Sequence, residues 1–236
     1  MKKIPVYFLL FVISILLSLT VSAQKRLTTV GIQIKPIFPV SFLGTGTQTT
    51  IQNNVHFDLT LKSGFSAGML IRKGISDLVG IETGINYIKR NYKFNITEGN
   101  NVTSSGYRII GYEIPLSFLV YIRLGEQLFM NAAMGASADM YASNVEAFGD
   151  NYHVLSVRNH VFQPAIIANL GCEWRTEKKG FFYLGASFHR PFNYEFVSRI
   201  RYERTPISEE FYNTISGSYL TADFRYYFHE EPKKGK

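Results

Sequence analysis

Apolar and polar residues alternate with a period of two along most of this chain, in eight separate segments. Such alternation is typical of β-strands, because successive side chains of a strand point to opposite faces of the sheet. We therefore predict an all-β fold with eight main strands. Their predicted ranges are Leu27–Phe38, Leu61–Lys73, Val79–Tyr92, Arg108–Arg123, Leu128–Met140, Val161–Arg175, Phe181–Arg190 and Ile215–Phe228.

The connections between these segments are alternately long and short. The short ones are GISDL, LGEQ and TEKKG, and the long ones are Pro39–Thr60, Lys93–Tyr107, Tyr141–His160 and Pro191–Thr214. If consecutive strands are antiparallel neighbours, all long connections lie at one end, which is the layout of an outer-membrane barrel. A sheet in hydrocarbon leaves no unpaired edge, so the last strand is expected to pair with the first. The prediction is an eight-stranded antiparallel up-and-down transmembrane β-barrel over residues 24–228.

The two faces of the predicted strands differ in the size of their residues. One face carries compact polar residues, and the interior of an eight-stranded barrel is only just wide enough for packed side chains. We therefore predict that the compact face points inward and the apolar face points to lipid. The alternative is a soluble secreted ligand-binding barrel, in which the apolar stripes starting at Phe65 and Ile114 point into a cavity. Pro115 removes a ladder donor, so a bulge or local irregularity is expected there.

Charged residues recur near the short-turn end of the inward face. Buried charges must be paired and hydrogen-bonded, so we predict a salt-bridged network that fills this half of the lumen. An ion pathway is the alternative, but charges that pair across a narrow barrel block it more often than they conduct. The predicted members are Arg72, Glu82, Arg123, Glu173, Arg175, Asp223 and Arg225.

The first residues predict export. Lys2 and Lys3 precede an apolar core at Val6–Leu17, and small residues end at Ala23, which is the pattern of a cleaved signal peptide over residues 1–23. The alternative, a retained membrane helix, needs about 20 apolar residues, more than this core provides. Residues 229–236 are predicted to be a polar tail.

The composition of the chain argues against several classes of partner and cofactor. The chain has 25 Lys and Arg against 18 Asp and Glu, but the basic residues form no run, so nucleic acid is not predicted as a partner. Cys172 is the single cysteine, which excludes an internal disulfide. His153 and His160 share a long connection without the compact spacing of metal ligands, so no metal or cofactor is predicted.

The segment ASFHRPFN, residues 186–193, invites comparison with lipid A deacylase barrels, which carry a His and a Ser two residues apart near the outer rim. Here Pro191 stands where that Ser would be, and Ser187 precedes His189 instead. Catalysis needs the nucleophile and the base within hydrogen-bond reach. Without a motif match, no catalytic residue is predicted, and a lipid-modifying outer-membrane enzyme remains an alternative.

From Leu27 to Phe228 the chain resembles the PorT-like family of small outer-membrane barrels. The resemblance rests on VGIQIKP after a signal ending in SAQ, on FSAGMLIRKGISDLVGIETGINYIKR, and on YEIPLSFLVYIRL followed by LFMNAAMGASADMYAS. The closing LTADFRYYF is similar to the terminal-strand signal read by the barrel-insertion machinery, with an outward series of Leu220, Ala222, Phe224, Tyr226 and Phe228.

The resemblance implies the barrel fold and an outer-membrane location. Because no catalytic motif is found, we also expect the protein not to be an enzyme. The expected function is a surface-exposed binding, structural or secretion-associated component, since the family's name-giving member takes part in protein secretion. The expected partners are outer-membrane lipid, the insertion machinery during biogenesis, and a protein or glycan ligand at the long connections, because loops on a rigid scaffold often carry binding function.

Overall fold

The computed structural model describes residues 28–39, 46–176, 179–204 and 207–229. The predicted signal peptide, and the predicted tail after His229, lie outside these residues. Within them no helix is long and apolar enough to cross a membrane. The strands are β1 Thr28–Phe38, β2 Gln48–Gln52, β3 Val55–Gly74, β4 Val79–Glu98, β5 Asn101–Arg123, β6 Leu128–Met140, β7 Val145–Gly149, β8 Tyr152–Arg158, β9 Phe162–Thr176, β10 Gly180–Pro191, β11 Phe196–Arg204, β12 Ile207–Ile215 and β13 Tyr219–Tyr227.

Eight of these strands form a closed antiparallel ring in the order β1-β13-β10-β9-β6-β5-β4-β3. β1 closes the ring because it pairs with β13 on one side and with β3 on the other. The predicted eight-stranded up-and-down barrel is thereby confirmed. The connections β3–β4, β5–β6 and β9–β10 lie together at one end of the ring, called here the turn end. The opposite end, called the sandwich end, carries the remaining connections.

The ring has an apolar exterior and a polar interior. On β5, the side chain of Leu116 is outward and 53% exposed, whereas that of the next residue, Ser117, is inward and 8% exposed. The outward residues of β5 from Tyr112 to Ile122 are all apolar or aromatic. This eleven-residue stretch matches the ~9–11 residues with which a tilted strand crosses a bilayer. The predicted orientation of the two faces is confirmed.

Compact inward residues make room for larger ones. Gly171 and Gly185 lie directly opposite each other on β9 and β10. A Cβ atom on either would lie within 2.4 Å of the Tyr183 hydroxyl, which donates a hydrogen bond to Asn169 Oδ1 at 2.5 Å. The small residues on this face are therefore required by the narrow lumen.

A second sheet, in the order β12-β11-β8-β7, packs against β2 and the sandwich-end parts of β3, β4 and β5. Together they form a two-layered β-sandwich above the barrel, with a hydrophobic core between the layers. Its edges are joined by hydrogen bonds from Thr50 to Asn213 (3.1 Å) and from Asn53 to Glu209 (2.7 Å). The buried core residues are Val55, Phe57, Leu59, Leu61, Tyr92, Phe94, Ile96, Tyr107, Ile109, Tyr141, Val154, Phe196, Ile200, Tyr202, Phe211 and Ile215.

The sandwich occupies segments that the sequence pattern predicts as long connections. Lys93–Tyr107 is the end of a continuous hairpin, since β4 and β5 pair as far as Glu98 and Asn101. In β3, the register shifts between Leu61 and Gly64. This bulge changes the phase of alternation. The odd-numbered residues of β3 face inward on the sandwich side of the bulge, and the even-numbered residues face inward on the turn side.

Pro115 produces a local irregularity without a bulge. Pairing between β4 and β5 is interrupted after Thr83–Leu116 and resumes in the same register at Asn86–Glu113. The Thr83 hydroxyl donates to the Pro115 carbonyl at 2.7 Å, which supplies a hydrogen bond where the ladder lacks one.

Candidate functional site

The turn-end half of the lumen holds a network of three arginines and three carboxylates. Arg72 Nε donates to Glu82 Oε2 at 2.9 Å, and the same guanidinium pairs with Glu173. Arg225 bridges Glu82 at 2.7 Å and Asp223 at 2.6 Å. Arg175 Nε lies 2.6 Å from Glu173 Oε1. The structure thus brings together six of the seven predicted residues, with equal numbers of positive and negative charges, as burial requires.

Arg123 does not join this network, contrary to the prediction. It is the last residue of β5, its side chain is exposed, and its Nε donates to the Gly125 carbonyl at 3.0 Å. The side chain reaches past the rim of the lumen to the adjacent turn. Tyr227 completes the network instead, because its hydroxyl accepts from Arg72 at 2.5 Å and donates to Glu82 at 2.6 Å.

A second buried network lies nearer the sandwich end. Glu113 accepts hydrogen bonds from Asn86 at 2.6 Å and from Tyr219 at 3.2 Å, and Lys35 Nζ lies 3.5 Å away. His189 Nε2 lies 2.8 Å from Asp139 Oδ2. This cluster was not predicted, although Glu113 and Asp139 occupy the same inward series as Ser117 and Ser137.

An ion pair closes the lumen above this second network. The Arg90 guanidinium pairs with Glu195, and both side chains are fully buried. Arg90 also donates to the Tyr141 hydroxyl at 3.0 Å, and Tyr141 belongs to the sandwich core. Between the two networks there is a cavity of about 30 Å³, lined by groups that include Glu82, Glu113 and His189. This volume suits a buried water and not an open aqueous path.

Ser187 and His189 face the lumen but bind different partners. The Ser187 hydroxyl donates to Asp223 at 2.5 Å and accepts from Asn169 at 2.9 Å. His189 Nε2 lies 3.5 Å from the Ser137 hydroxyl, which itself donates to Asp139 at 2.9 Å. Both pairs lie inside the ring, away from the outward face that lipid would contact.

The donor atoms of Glu113, Asp139 and His189 lie within 4.8 Å of one another, a spacing at which three side chains can hold a metal ion. Both oxygens of Glu113 already accept hydrogen bonds, and Lys35 adds positive charge beside them. A cation would compete with these donors for the Glu113 oxygens and would be repelled by the Lys35 ammonium group. The arrangement therefore favours a structural polar network over a metal centre.

The outward residues of the closing strand lie where the sequence pattern predicts. Phe224 is 50% and Phe228 is 44% exposed, and the Tyr226 ring contacts Phe182 at 5.0 Å. The Tyr226 hydroxyl donates to the Lys179 carbonyl at 2.7 Å, so an aromatic ring faces outward while its polar tip meets a turn. The role of Leu220, Ala222, Phe224, Tyr226 and Phe228 as an insertion signal stays a prediction.

The outer face of the second sheet, away from the core, carries a row of four directly opposed residues. This outer row consists of Phe148, His153, Arg201 and Glu210. Hydrogen bonds from Arg199 at 2.6 Å and from Arg201 at 3.0 Å lower the pKa of the Glu210 carboxyl to about 2. This row was not predicted, because its members belong to two hairpins of short strands, β7–β8 and β11–β12, that are distant from each other in the chain.

No family model matches the sequence, and no curated protein matches it. Among solved structures, the outer membrane protein OprG from Pseudomonas aeruginosa is 11% identical, with a TM-score of 0.58 over 88% of this chain and 99% of that one. The outer membrane protease OmpT from Escherichia coli is 9% identical over 89% of this chain and 100% of its own, with a TM-score of 0.35. The likeness to OprG shows that this chain has the fold of a small outer-membrane barrel.

Proposed function

We propose that this chain is a non-enzymatic outer-membrane β-barrel of the PorT-like family, exported through a cleaved signal peptide. Its barrel spans the membrane, and its sandwich stands at the cell surface as a binding component. A structural or secretion-associated role is compatible with the same placement. The short turns, the start of β1 and the end of β13 then lie on the periplasmic side, as in known barrels.

The observation that carries this proposal is the sandwich core directly above the barrel. Strands β3, β4 and β5 continue from the ring into the sandwich without a break in the chain, so the sandwich is built on a rigid base. Its core and the Arg90–Glu195 pair cover the lumen. A channel role is disfavoured by this cover, whereas presentation of a folded surface is favoured.

The non-enzymatic part is supported by the inaccessibility of the polar clusters. His189, Asp139 and Glu113 are each at most 2% exposed, so a lipid or peptide substrate cannot reach them without unfolding of the barrel. The rival lipid-modifying enzyme needs a nucleophile beside the lipid. Comparing lipopolysaccharide acyl chains with and without Ser187→Ala and His189→Ala tests that rival, which predicts a change that we do not expect.

Spin labels at two adjacent positions test the membrane location. In a Cys172→Ala background, nitroxides at Leu116→Cys and Ser117→Cys are placed on the outward and inward faces of β5. Molecular oxygen concentrates in hydrocarbon and raises the spin relaxation rate of a nitroxide that it meets there. In lipid vesicles, we expect a large increase in this rate for the label at position 116 and a small one for the label at position 117. The reverse order would reject a membrane barrel and favour the soluble alternative.

Labelling of intact cells tests which end is outside. A membrane-impermeant maleimide is expected to react with Tyr212→Cys, on the outer face of the sandwich, and not with Glu126→Cys, in the β5–β6 turn. Both wild-type residues are exposed, so solvent access does not distinguish the two positions. Labelling of Glu126→Cys alone would place the sandwich in the periplasm and overturn the surface role.

A further inference from the structure

An open cleft lies at the far tip of the sandwich, where the β7–β8 hairpin meets β11. It encloses about 260 Å³, and its lining includes Phe148, Asp150, Asn151, His153, Arg201 and Glu203. Its volume lies just below the ~300 Å³ at which pockets begin to hold drug-sized ligands. A smaller ligand, such as the end of an oligosaccharide, matches this size.

Phe148 supplies a flat apolar surface at this cleft. Its side chain is 69% exposed, although one face of the ring is stacked on His153 with centroids 4.5 Å apart and an angle of 7° between the planes. The stacking fixes the orientation of the phenyl ring. An aromatic ring held in this way offers a flat apolar face to a ligand.

The polar side of the cleft is also preorganised. The Glu203 amide donates to the Asn151 carbonyl at 2.9 Å, which ties the hairpin turn to β11. Arg201 is held by Glu210 at 3.0 Å and lies 3.7 Å from Glu203. His153 Nε2, in the floor of the cleft, is buried without a hydrogen-bond partner among the described residues. Ordering these groups in advance lowers the entropy cost of binding.

We propose that this cleft binds a neutral saccharide. This proposal rests on the proposed surface function and specifies the class of ligand that the surface binds. The C–H groups on the flat side of a sugar ring carry partial positive charge and pack against the negative face of an aromatic ring. Sugar hydroxyls both donate and accept, so they can pair with the carboxylates of Asp150 and Glu203, the Asn151 amide and the Arg201 guanidinium. Phe148 and these four side chains supply both kinds of contact.

The charges select a neutral ligand over an acidic one. Asp150 and Glu203 are exposed carboxylates, while the one cation of the lining, Arg201, is already paired with Glu210. Arg201 also lies 3.7 Å from Glu203, but the three carboxylates of Asp150, Glu203 and Glu210 outnumber the two cations Arg199 and Arg201. An acidic sugar would therefore meet an excess of negative charge, which disfavours binding. Uronic acid oligosaccharides are expected to bind at least tenfold more weakly than neutral ones of the same length.

The test uses the purified full-length barrel in detergent, titrated onto immobilised neutral oligosaccharides of glucose, mannose, galactose and N-acetylhexosamines, with galacturonate oligosaccharides as the acidic comparison. We expect saturable binding to at least one neutral probe and about a tenfold loss of affinity in Phe148→Ala. Tyr212→Ala is the matched control, because it removes a 60% exposed aromatic ring from the same sheet face outside the cleft. Asp150→Asn with Glu203→Gln is expected to weaken neutral binding less than Phe148→Ala does.

Absence of neutral binding, an equal loss in Tyr212→Ala, or preferential binding of galacturonate would overturn the proposal. Binding of Ca²⁺ alone to the two carboxylates, measured in the same buffer without sugar, would also count against it. The assay in detergent is independent of the cellular location. If no neutral oligosaccharide binds but Tyr212→Cys is labelled on intact cells, only the saccharide proposal is rejected. If Tyr212→Cys is not labelled, the surface function is rejected.

Discussion

Arg72 and Phe57 lie on the same strand, β3, and both side chains are buried on its inner side. Arg72 is surrounded by carboxylates and a tyrosine hydroxyl in the lumen, whereas Phe57 stacks on Phe94 and Phe211 in the sandwich, with centroids 5.9 and 5.5 Å apart. Fifteen residues along one strand therefore separate a charged interior from an aromatic one.

The difference follows from what surrounds each part. The apolar residues of the barrel are exposed on its outside, so few remain for its interior, and paired charges fill that interior. The sandwich has apolar residues inside and mainly polar residues outside, as a water-soluble domain has, with Phe148 and Tyr212 among the exposed exceptions. The bulge between Leu61 and Gly64 separates the two arrangements by shifting the alternation of β3. One chain thus uses polar pairing where its exterior is apolar, and hydrophobic burial where its exterior is polar.

The largest effect is expected in the lumen. Arg72→Met leaves Glu82 and Glu173 without a central cation, and breaking a buried ion pair costs about 4 kcal/mol of unfolding free energy. Urea titration of the barrel in lipid vesicles, followed by heat modifiability on gels, measures this loss. Arg123→Met is the matched control, because that side chain is exposed and outside the network, and it is expected to change stability by no more than about 0.5 kcal/mol. Equal effects would contradict the pairing described for Arg72.

The sandwich should respond to loss of apolar contact with a smaller and more local effect. Phe211→Ala removes a fully buried ring and is expected to cost about 3 kcal/mol through lost burial and a cavity. Limited proteolysis or hydrogen exchange should show earlier opening of β11 and β12 while the barrel stays resistant to denaturation. The neighbouring Tyr212→Ala removes an exposed ring and serves as the control. Unfolding of the barrel together with the sandwich would show that the two regions are not separable.

Glu173→Gln tests whether the lumen network both stabilises the barrel and blocks ion conduction. The substitution keeps the size of the side chain but removes the negative charge that faces Arg72 and Arg175, so the unfolding temperature should fall. About 1–3 kcal/mol is expected for a buried charged hydrogen-bond acceptor. Planar bilayer recordings should show no conductance for either the wild type or the variant. A clear single-channel current in the wild type would refute the plug.

The smallest effect concerns the ion pairs on the outer face of the sandwich. The pKa of Glu210 is about 2, below its ordinary value, so its ionised form stabilises the fold above the ordinary pKa, and this contribution is lost as the pH falls through about 2. Carbon NMR titration of the carboxyl group should give a midpoint near 2. Arg199→Gln with Arg201→Gln should raise that midpoint toward the ordinary value. An unchanged midpoint would assign the shift to another cause.

The strand pattern predicts the barrel well because each outward and inward position follows from local alternation. The same rule places Glu82, Glu173 and Asp223 in the lumen, and applied to β5 and β6 it would also have found Glu113 and Asp139. Arg123 shows the limit of the rule: alternation gives the face of a residue but not its height, and at the end of β5 the side chain has already passed the rim.

The sandwich could not be predicted in the same way. β2 and β7 have five residues each, too few for a clear period, and the polar sequence around them is typical of a loop. Their position depends on pairing between segments far apart in the chain, such as β8 with β11. The bulge in β3 also interrupts the alternation that would have linked the barrel strand to its extension.

The continuous hairpin of β4 and β5 gives this protein a mechanical property. A force that pulls the sandwich away from the barrel acts on β3, β4 and β5 in the same direction. The backbone hydrogen bonds that join this set to the rest of the ring, from β3 to β1 and from β5 to β6, take that load in shear. Bonds loaded in parallel resist far more force than bonds opened one at a time. The sandwich end can therefore hold tension while the barrel stays intact.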